Sequence, residues 1–237
     1  MNSGYPMRLN KYLAHKGFAT RRGADELIEK GRVTINGRRA VLGDKVLEND
    51  EVEVRNTKKK GYRYFAYHKP RGVVTHSAQG DDTDIDALIR QEPLVRGTFP
   101  VGRLDKDSYG LLILTDDGRV TDRLLSPDRA HEKEYTVKTQ MKLRSNFKER
   151  MEAGVDIEGY RTKPARVRIN GDFSFTITLT EGKKHQIRRM VAAMFNEVKE
   201  LKRTRIMNVK LGTLRPGEFR PIEGDELAEL LTSLGLR

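Results

Sequence analysis

Apolar positions in this chain recur at two periods, and the switches between them divide it into elements. Leu9, Tyr12 and Leu13 stand at i, i+3 and i+4 before Gly17, which predicts a short amphipathic helix over residues 8–16. Thr20 is placed to cap a second helix that carries Ala24, Leu27 and Ile28 to Lys30 and stops at Gly31. The segment from Val33 to Val41 then divides into two strands about Asn36-Gly37, a pair that tolerates positive φ, and predicts a hairpin. Glu51 to Val54 alternates and adds a strand, while Arg55 to Gly61 is basic and aperiodic and reads as a linker.

From Tyr62 the pattern is that of a strand leading through Lys69 to a turn at Pro70 and Gly72. Residues 76–86 read as an irregular loop, with Asp84 placed to cap a short helix through Leu88 and Ile89. The run Leu111 to Leu114 predicts a buried strand that ends in an Asp116-Asp117-Gly118 turn. Val120 to Leu125 predicts a helix that turns Leu124 and Leu125 inward and stops at Pro127. Glu134 to Lys138 alternates as a strand, and Ser145 stands before a helix carrying Phe147 and Met151. Segments 162–169 and 173–180 both alternate, the second with Phe173, Phe175, Ile177 and Leu179 on one face. Ile187, Met190, Val191 and Met194 give a helix over 185–195, residues 201–211 are strand-rich and basic, and a last helix runs from Asp225 to Leu234. Short strands among few helices, without a regular βαβ series, predict an α+β protein. We expect a small domain at 6–54, a linker at 55–61 and a larger domain at 62–237 on a mixed, largely antiparallel sheet.

A length of 237 residues suffices for two cores, and 36% hydrophobic residues without an apolar run of eighteen exclude a membrane-spanning helix. The N-terminus lacks the apolar core of a secretory signal, and the absence of cysteine rules out disulfides and thiolate metal sites, which suits a cytoplasmic protein. Asp81, Asp82, Asp84 and Asp86 lack the glycine and terminal glutamate of a calcium loop and read as solvated. Charge changes the picture most. The net charge is +12, with 14 Lys/Arg against 8 Asp/Glu in residues 1–60 and 11 against 4 in residues 181–220. Two separated basic zones point to a nucleic acid lying across both. The candidate contacts are Lys11, Arg21 and Arg22 on the first two helices, Arg38 at the hairpin, and Lys184 and Arg189 at the start of the 185–195 helix.

The chain's chemistry centres on one carboxylate. Asp105 follows Arg103 and Leu104 in a loop that feeds the buried strand at Leu111, so the fold would hold it at a defined point. From the residues alone it reads either as a solvated or capping side chain or as a nucleophile. The stretch Gly102-Arg103-Leu104-Asp105-Lys106-Asp107-Ser108-Tyr109-Gly110-Leu111-Leu112 resembles the signature of the RsuA/RluB/RluF branch of pseudouridine synthases. His68-Lys69-Pro70-Arg71-Gly72 resembles that family's Lys-Pro-x-Gly entry, Lys133-Glu134-Tyr135 its tyrosine segment, and the run from Glu181 to Met190 its basic helix, all in the family order. Residues 6–54 resemble the S4 RNA-binding domain that often precedes this family.

The resemblance implies isomerisation of uridine to pseudouridine in ribosomal RNA, without a cofactor or metal. It implies Asp105 as the catalytic residue, attacking C1′ or C6 or acting as a base at C2′. Arg188 matches the basic residue that orients that carboxylate, Tyr135 the tyrosine that stacks beneath the base and serves in proton transfer, and Arg103 a residue that fills the gap left by the flipped base. The stretches from Arg203 to Val209 and from Pro216 to Arg220 resemble the large-subunit RluF-like group more than the small-subunit RsuA group, which implies large-subunit ribosomal RNA as partner. A monomer is expected. Lys184-His185 departs from the branch's usual Asn-Arg and is similar to the sister RluA branch, and Tyr109 replaces a smaller or acidic residue, both of which bear on substrate choice. Two rival readings are a non-catalytic S4-type RNA-binding or ribosome-assembly protein, which gives no reason for Asp105, Tyr135 and Arg188 each to stand in a matching motif, and a hydrolase using Asp105 and Asp107, which have no histidine or metal-ligand spacing near them in the sequence.

Overall fold

The computed structural model describes residues 5–55, 61–75, 84–126 and 129–236. Most of the expected linker, including Lys58, Lys59 and Lys60, most of the loop at 76–86 with Asp81 and Asp82, and the expected helix stop at Pro127 lie outside the described residues.

The N-terminal part contains β1 (Met7–Arg8), α1 (Leu9–His15), α2 (Arg21–Glu29), β2 (Val33–Ile35), β3 (Arg38–Arg39), β4 (Lys45–Val46) and β5 (Val52–Val54). Local chemistry sets its turns. Gly17 and Gly31 take φ of 78° and 65° after the helices, the Thr20 hydroxyl accepts the Gly23 N–H at 3.2 Å, and Asn36-Gly37 turn the hairpin at φ 49° and 77°. Leu9, Leu13, Ala24, Ile28, Val33, Ile35, Ala40 and Val46 close one small core. Tyr62 ties this part to the next: its hydroxyl donates to the carbonyls of Ala14 at 2.9 Å and His15 at 3.2 Å, and Arg119 lies 4.5 Å from its ring centroid.

The remaining elements are β6 (Tyr64–Lys69), α3 (Ile85–Gln91), β7 (Phe99–Val101), β8 (Tyr109–Thr115), α4 (Gly118–Leu124), β9 (Lys133–Thr139), α5 (Phe147–Glu152), β10 (Asp156–Ile157), β11 (Tyr160–Arg161), β12 (Arg166–Gly171), β13 (Ser174–Leu179), α6 (Gln186–Ala193), β14 (Val198–Ile206), β15 (Val209–Lys210), β16 (Phe219–Pro221) and α7 (Gly224–Ser233). They build a nine-stranded sheet in the order β12-β13-β9-β14-β8-β6-β16, with β15 on β14 and β7 on β8. Among its pairings only β14 with β8 is parallel, so the sheet is mixed and largely antiparallel, and the protein is α+β as expected. That pair is also where the sheet's two halves meet. One half packs Val137, Phe175 and Ile177 against Phe147 and Met151 of α5 and Ile187, Met190 and Val191 of α6. The other packs Leu111, Ile113 and Ile206 against Val120 and Leu124 of α4 and Leu230 of α7, while α3 covers Phe65, Leu112 and Leu114 from the opposite face.

Four details differ from the sequence reading. Helix α4 begins at Gly118 because the Asp117 carboxylate accepts the Arg119 N–H at 3.0 Å, and it ends before Leu125, which is 43% exposed and does not face inward. Ser145 does not cap α5. The N-cap is Asn146, and a backbone turn from the Phe147 N–H to the Arg144 carbonyl, 3.0 Å, opens the helix. Phe173 lies in the β12–β13 turn and is 51% exposed, whereas Thr176 and Thr178 are buried: β13 is paired on both sides, with Arg168 and Thr136 beside Thr176 and Arg166 and Glu134 beside Thr178. Strands β1, β4, β7, β10, β11 and β16 were not expected; each has two or three residues, too few to set up a visible alternation.

Candidate active site

The loop between β7 and β8 carries Asp105, and backbone groups hold it from below. Buried Thr75 donates its hydroxyl to the Leu104 carbonyl at 2.7 Å and accepts the Leu104 N–H at 3.1 Å. The Lys106 carbonyl accepts the Gly72 N–H at 2.8 Å and the Lys69 amine at 3.4 Å, and that amine also donates to the Pro70 carbonyl at 2.9 Å. The Ser108 N–H closes the loop on the Asp105 carbonyl at 3.0 Å. With its backbone fixed on both sides, Asp105 presents a side chain that is 38% exposed to a cleft of about 800 Å³. Lys69 lies buried beneath the loop; desolvation pulls its amine down to about 8, and the charge of Asp105 opposes that shift.

Facing Asp105 is the start of α6. His185 Nε2 stands 3.4 Å from Asp105 Oδ1. His185 adopts the left-handed conformation, φ 51°, which a residue with a Cβ holds only when its surroundings enforce it. The enforcement comes from Glu181, whose carboxylate accepts the Gln186 amide at 2.6 Å, the Tyr160 hydroxyl at 2.6 Å and the Lys163 N–H at 3.0 Å. Gln186 in turn accepts the Lys183 N–H at 2.9 Å. The sheet supplies another wall: Lys133 and Tyr135 from β9, with Leu201 and Arg203 from β14, while Leu179 and Ile187 give the cleft an apolar part. Arg203 is 3% exposed and donates to the Leu111 carbonyl at 2.7 Å and the Arg103 carbonyl at 3.4 Å, so it braces both β8 and the Asp105 loop.

Of the residues expected from sequence, Asp105, Tyr135, Arg103 and Lys184 meet around this one cleft. Arg188 reaches the loop indirectly: its guanidinium donates to Ser108 Oγ and to the Val198 carbonyl, both at 3.4 Å, whereas the imidazole of His185 stands within 4 Å of the Asp105 carboxylate. Arg189 turns to Glu158, 2.7 Å, and to the Ile157 carbonyl. In the N-terminal part Arg21 and Arg22 are exposed on α2, Arg38 pairs with Asp44 at 2.9 Å, and Lys11 stands 3.8 Å from Asp122 of α4. His185, Lys69, Lys133 and Arg203 complete the site although the sequence reading named none of them as a catalytic or RNA-binding residue. Lys133 left a signal, since it alternates with Tyr135 on one strand and so must share its face.

The Lys133 amine is drawn down to about 8 by burial first and by the neighbouring Arg203 charge second. In the unfolded chain it returns to its ordinary value of 10.5, so between those values the unfolded state binds more protons and stability rises with pH. We therefore expect Lys133→Met to raise the thermal midpoint at pH 7, with a gain that shrinks as the pH approaches 10.5. Thermal denaturation of both proteins across that range checks it, and a gain independent of pH would contradict it.

Comparison with known proteins agrees with the geometry. The family described as RNA pseudouridylate synthase matches residues 63–193, and the S4 domain matches residues 7–52. The dual-specificity RNA pseudouridine synthase RluF of Escherichia coli (strain K12) is 41% identical over 229 residues, covering 94% of this chain and 78% of that protein. The ribosomal large subunit pseudouridine synthase B of Bacillus subtilis (strain 168) is 35% identical over 237 residues, covering 94% and 95%. The crystal structure of a pseudouridylate synthase superposes with a TM-score of 0.69 at 33% identity, over 94% of this chain and 99% of that one.

Proposed function

The chain belongs to the RNA pseudouridylate synthase family, and we propose that it isomerises specific uridines of large-subunit ribosomal RNA with Asp105 as the catalytic residue. In that reaction the C1′–N1 bond breaks, the base turns, C1′ joins C5, and the hydrogen on C5 leaves while N1 acquires one, so atoms and electrons balance without an outside reactant. The observation that carries the assignment is the fixed Asp105 carboxylate opening on a cleft with an apolar floor and an aromatic wall. Extruding a base from its stack costs about a few kcal/mol, which the cleft and the basic surface would offset. The large-subunit target is supported by the name of the Bacillus subtilis relative and by the sequence resemblance in residues 203–220.

In this reading Tyr135 stacks under the uracil and moves a proton, Arg103 enters the gap in the RNA stack, and Lys184 and Arg189 contact phosphates near the cleft. Lys11, Arg21, Arg22 and Arg38 give the N-terminal domain its hold on RNA, and Lys11 and Arg38 would exchange Asp122 and Asp44 for phosphate. Arg188 acts on Asp105 through Ser108 and the loop turn. The test is to map pseudouridines in ribosomal RNA from cells with and without the gene: at least one large-subunit position should revert to uridine, and an unchanged map rejects the proposal. Tyr135→Phe keeps the ring and removes the hydroxyl. We expect it to slow turnover about a hundred-fold or more, the scale of a lost proton-transfer group, and a loss below about three-fold would leave Tyr135 with stacking alone.

A further inference from the structure

The sheet wall of the cleft carries two cations that no acid among the described residues neutralises. Lys133 and Tyr135 occupy alternate positions on β9 and share a face, and Arg203 lies directly across from Tyr135 on β14. The two acids beside Lys133 in sequence are engaged elsewhere: Glu132 pairs with Arg166 and Arg205, and Glu134 with Arg205 and the Thr204 hydroxyl. Arg203 directs Nε to the Leu111 carbonyl and Nη1 to the Arg103 carbonyl, leaving Nη2 buried without a hydrogen-bond partner. Nearby His131, which lines the same cleft, also buries an unpartnered Nε2. Two adjacent positive charges in a largely desolvated wall oppose folding, and the depressed Lys133 amine reflects that opposition. An anion seated there would offset the cost.

On the reading that RNA is the substrate, we propose that Lys133 and Arg203 form a phosphate subsite within the cleft, which takes one of the two phosphates flanking the uridine presented to Asp105. Uracil and ribose are neutral, so the phosphates are the groups of a nucleotide that match two unneutralised cations. The buried guanidinium offers a directed N–H donor and the lysine a point charge, a division of labour suited to a tetrahedral anion. Because both cations line the cleft, the subsite engages the nucleotide once it has left the helix and would hold it there by its backbone, leaving the apolar floor and Tyr135 to the base. Lys133 is then a positioning residue: it fixes where the ribose lies relative to Asp105 and takes no part in bond making.

The test uses a synthetic stem-loop RNA containing a uridine that the wild type modifies, made with the natural phosphate or a neutral methylphosphonate on the 5′ or the 3′ side. For wild type, one of the two replacements should weaken binding about ten-fold or more, as expected for loss of a charge-assisted contact. Lys133→Met should bind the natural RNA with a similar loss, and the same methylphosphonate should then cost it nothing further. The slope of log affinity against log salt should fall by about 0.7 for the single phosphate, and Lys133→Arg should restore it. Additive losses, an unchanged slope, or a Lys133→Arg protein as weak as Lys133→Met would overturn the subsite, since a lysine that only filled space or bonded uracil would give those results. Inorganic phosphate separates this inference from the proposed function: it should raise the thermal midpoint of wild type but not of Lys133→Met, whatever RNA the enzyme modifies. Equal stabilisation of the two rejects the subsite, whereas failure of wild type to modify any large-subunit uridine rejects the substrate assignment instead.

Discussion

Asp105→Asn should leave the protein folded and able to bind RNA, yet release no tritium from RNA labelled at uracil C5. The substitution removes one charge at nearly constant volume. The backbone contacts that hold the loop, from Thr75, Gly72, Lys69 and Ser108, go to main-chain atoms of residues 104–106 and survive the change. The side chain's own close partner is His185 Nε2 at 3.4 Å, and both side chains are more than a third exposed, so the lost pairing costs little stability. Chemistry is different, because an amide neither attacks carbon nor accepts a proton at any accessible pH. We expect turnover to fall by about a thousand-fold or more with affinity for the RNA within a few-fold of wild type. Tritium release reports formation of the new bond, since C5 loses its hydrogen when C1′ joins it. An Asp105→Asn protein that released tritium at the wild-type rate would remove Asp105 from the mechanism; if wild type were inactive as well, a non-catalytic RNA-binding role would account better for the basic surface.

How far the sequence foreshadows this site follows from the range of the interactions involved. Helix and hairpin boundaries in residues 9–54 depend on contacts a few residues apart, and Thr20, Gly17 and Asn36-Gly37 declare them locally. The Asp105 loop was legible for the same reason: an acid between a glycine turn and an apolar run. The closing of the cleft was not, because its partners are distant along the chain. Arg203 reaches back 92 residues to the Leu111 carbonyl, and His185 meets Asp105 through a left-handed turn that Glu181, Tyr160 and Lys163 hold together. A basic residue near the start of α6 was expected beside Asp105, but helix geometry points Arg188 to Ser108 and leaves the facing position to His185. Alternation puts Phe175, Ile177 and Leu179 on the core face of β13 but does not reveal that Thr176 and Thr178 on the other face are buried too, since their neighbours Arg166, Arg168 and Glu134 belong to strands paired on either side.

Gly110→Ala should be among the most destabilising single substitutions in the catalytic domain, and the reason is the same junction that shapes the cleft. Gly110 stands where β8 meets β14, the parallel pair joining the two halves of the sheet, directly beside Arg203. Its φ is 109°, far from any region that an L-residue occupies comfortably. A Cβ built there would lie 2.3 Å from the Arg203 carbonyl oxygen and 2.7 Å from its nitrogen, and both are backbone atoms that cannot swing aside. Relief requires either a change of φ that misdirects Tyr109 and the Asp105 loop, or separation of the strands that pulls Arg203 from Leu111 and out of register with Tyr135. We expect a loss of about 3 kcal/mol or more, combining backbone strain with displaced packing. Gly118→Ala is the contrast, since its Cβ would meet nothing within 4 Å and its φ is not left-handed. Urea unfolding of both variants decides it: Gly118→Ala should stay within about 0.5 kcal/mol of wild type, the range of an unstrained surface change. If Gly110→Ala unfolded at the same urea concentration as Gly118→Ala, the close approach of β8 and β14 at Arg203 would not exist in the folded protein. The cleft's sheet wall would then need a different arrangement.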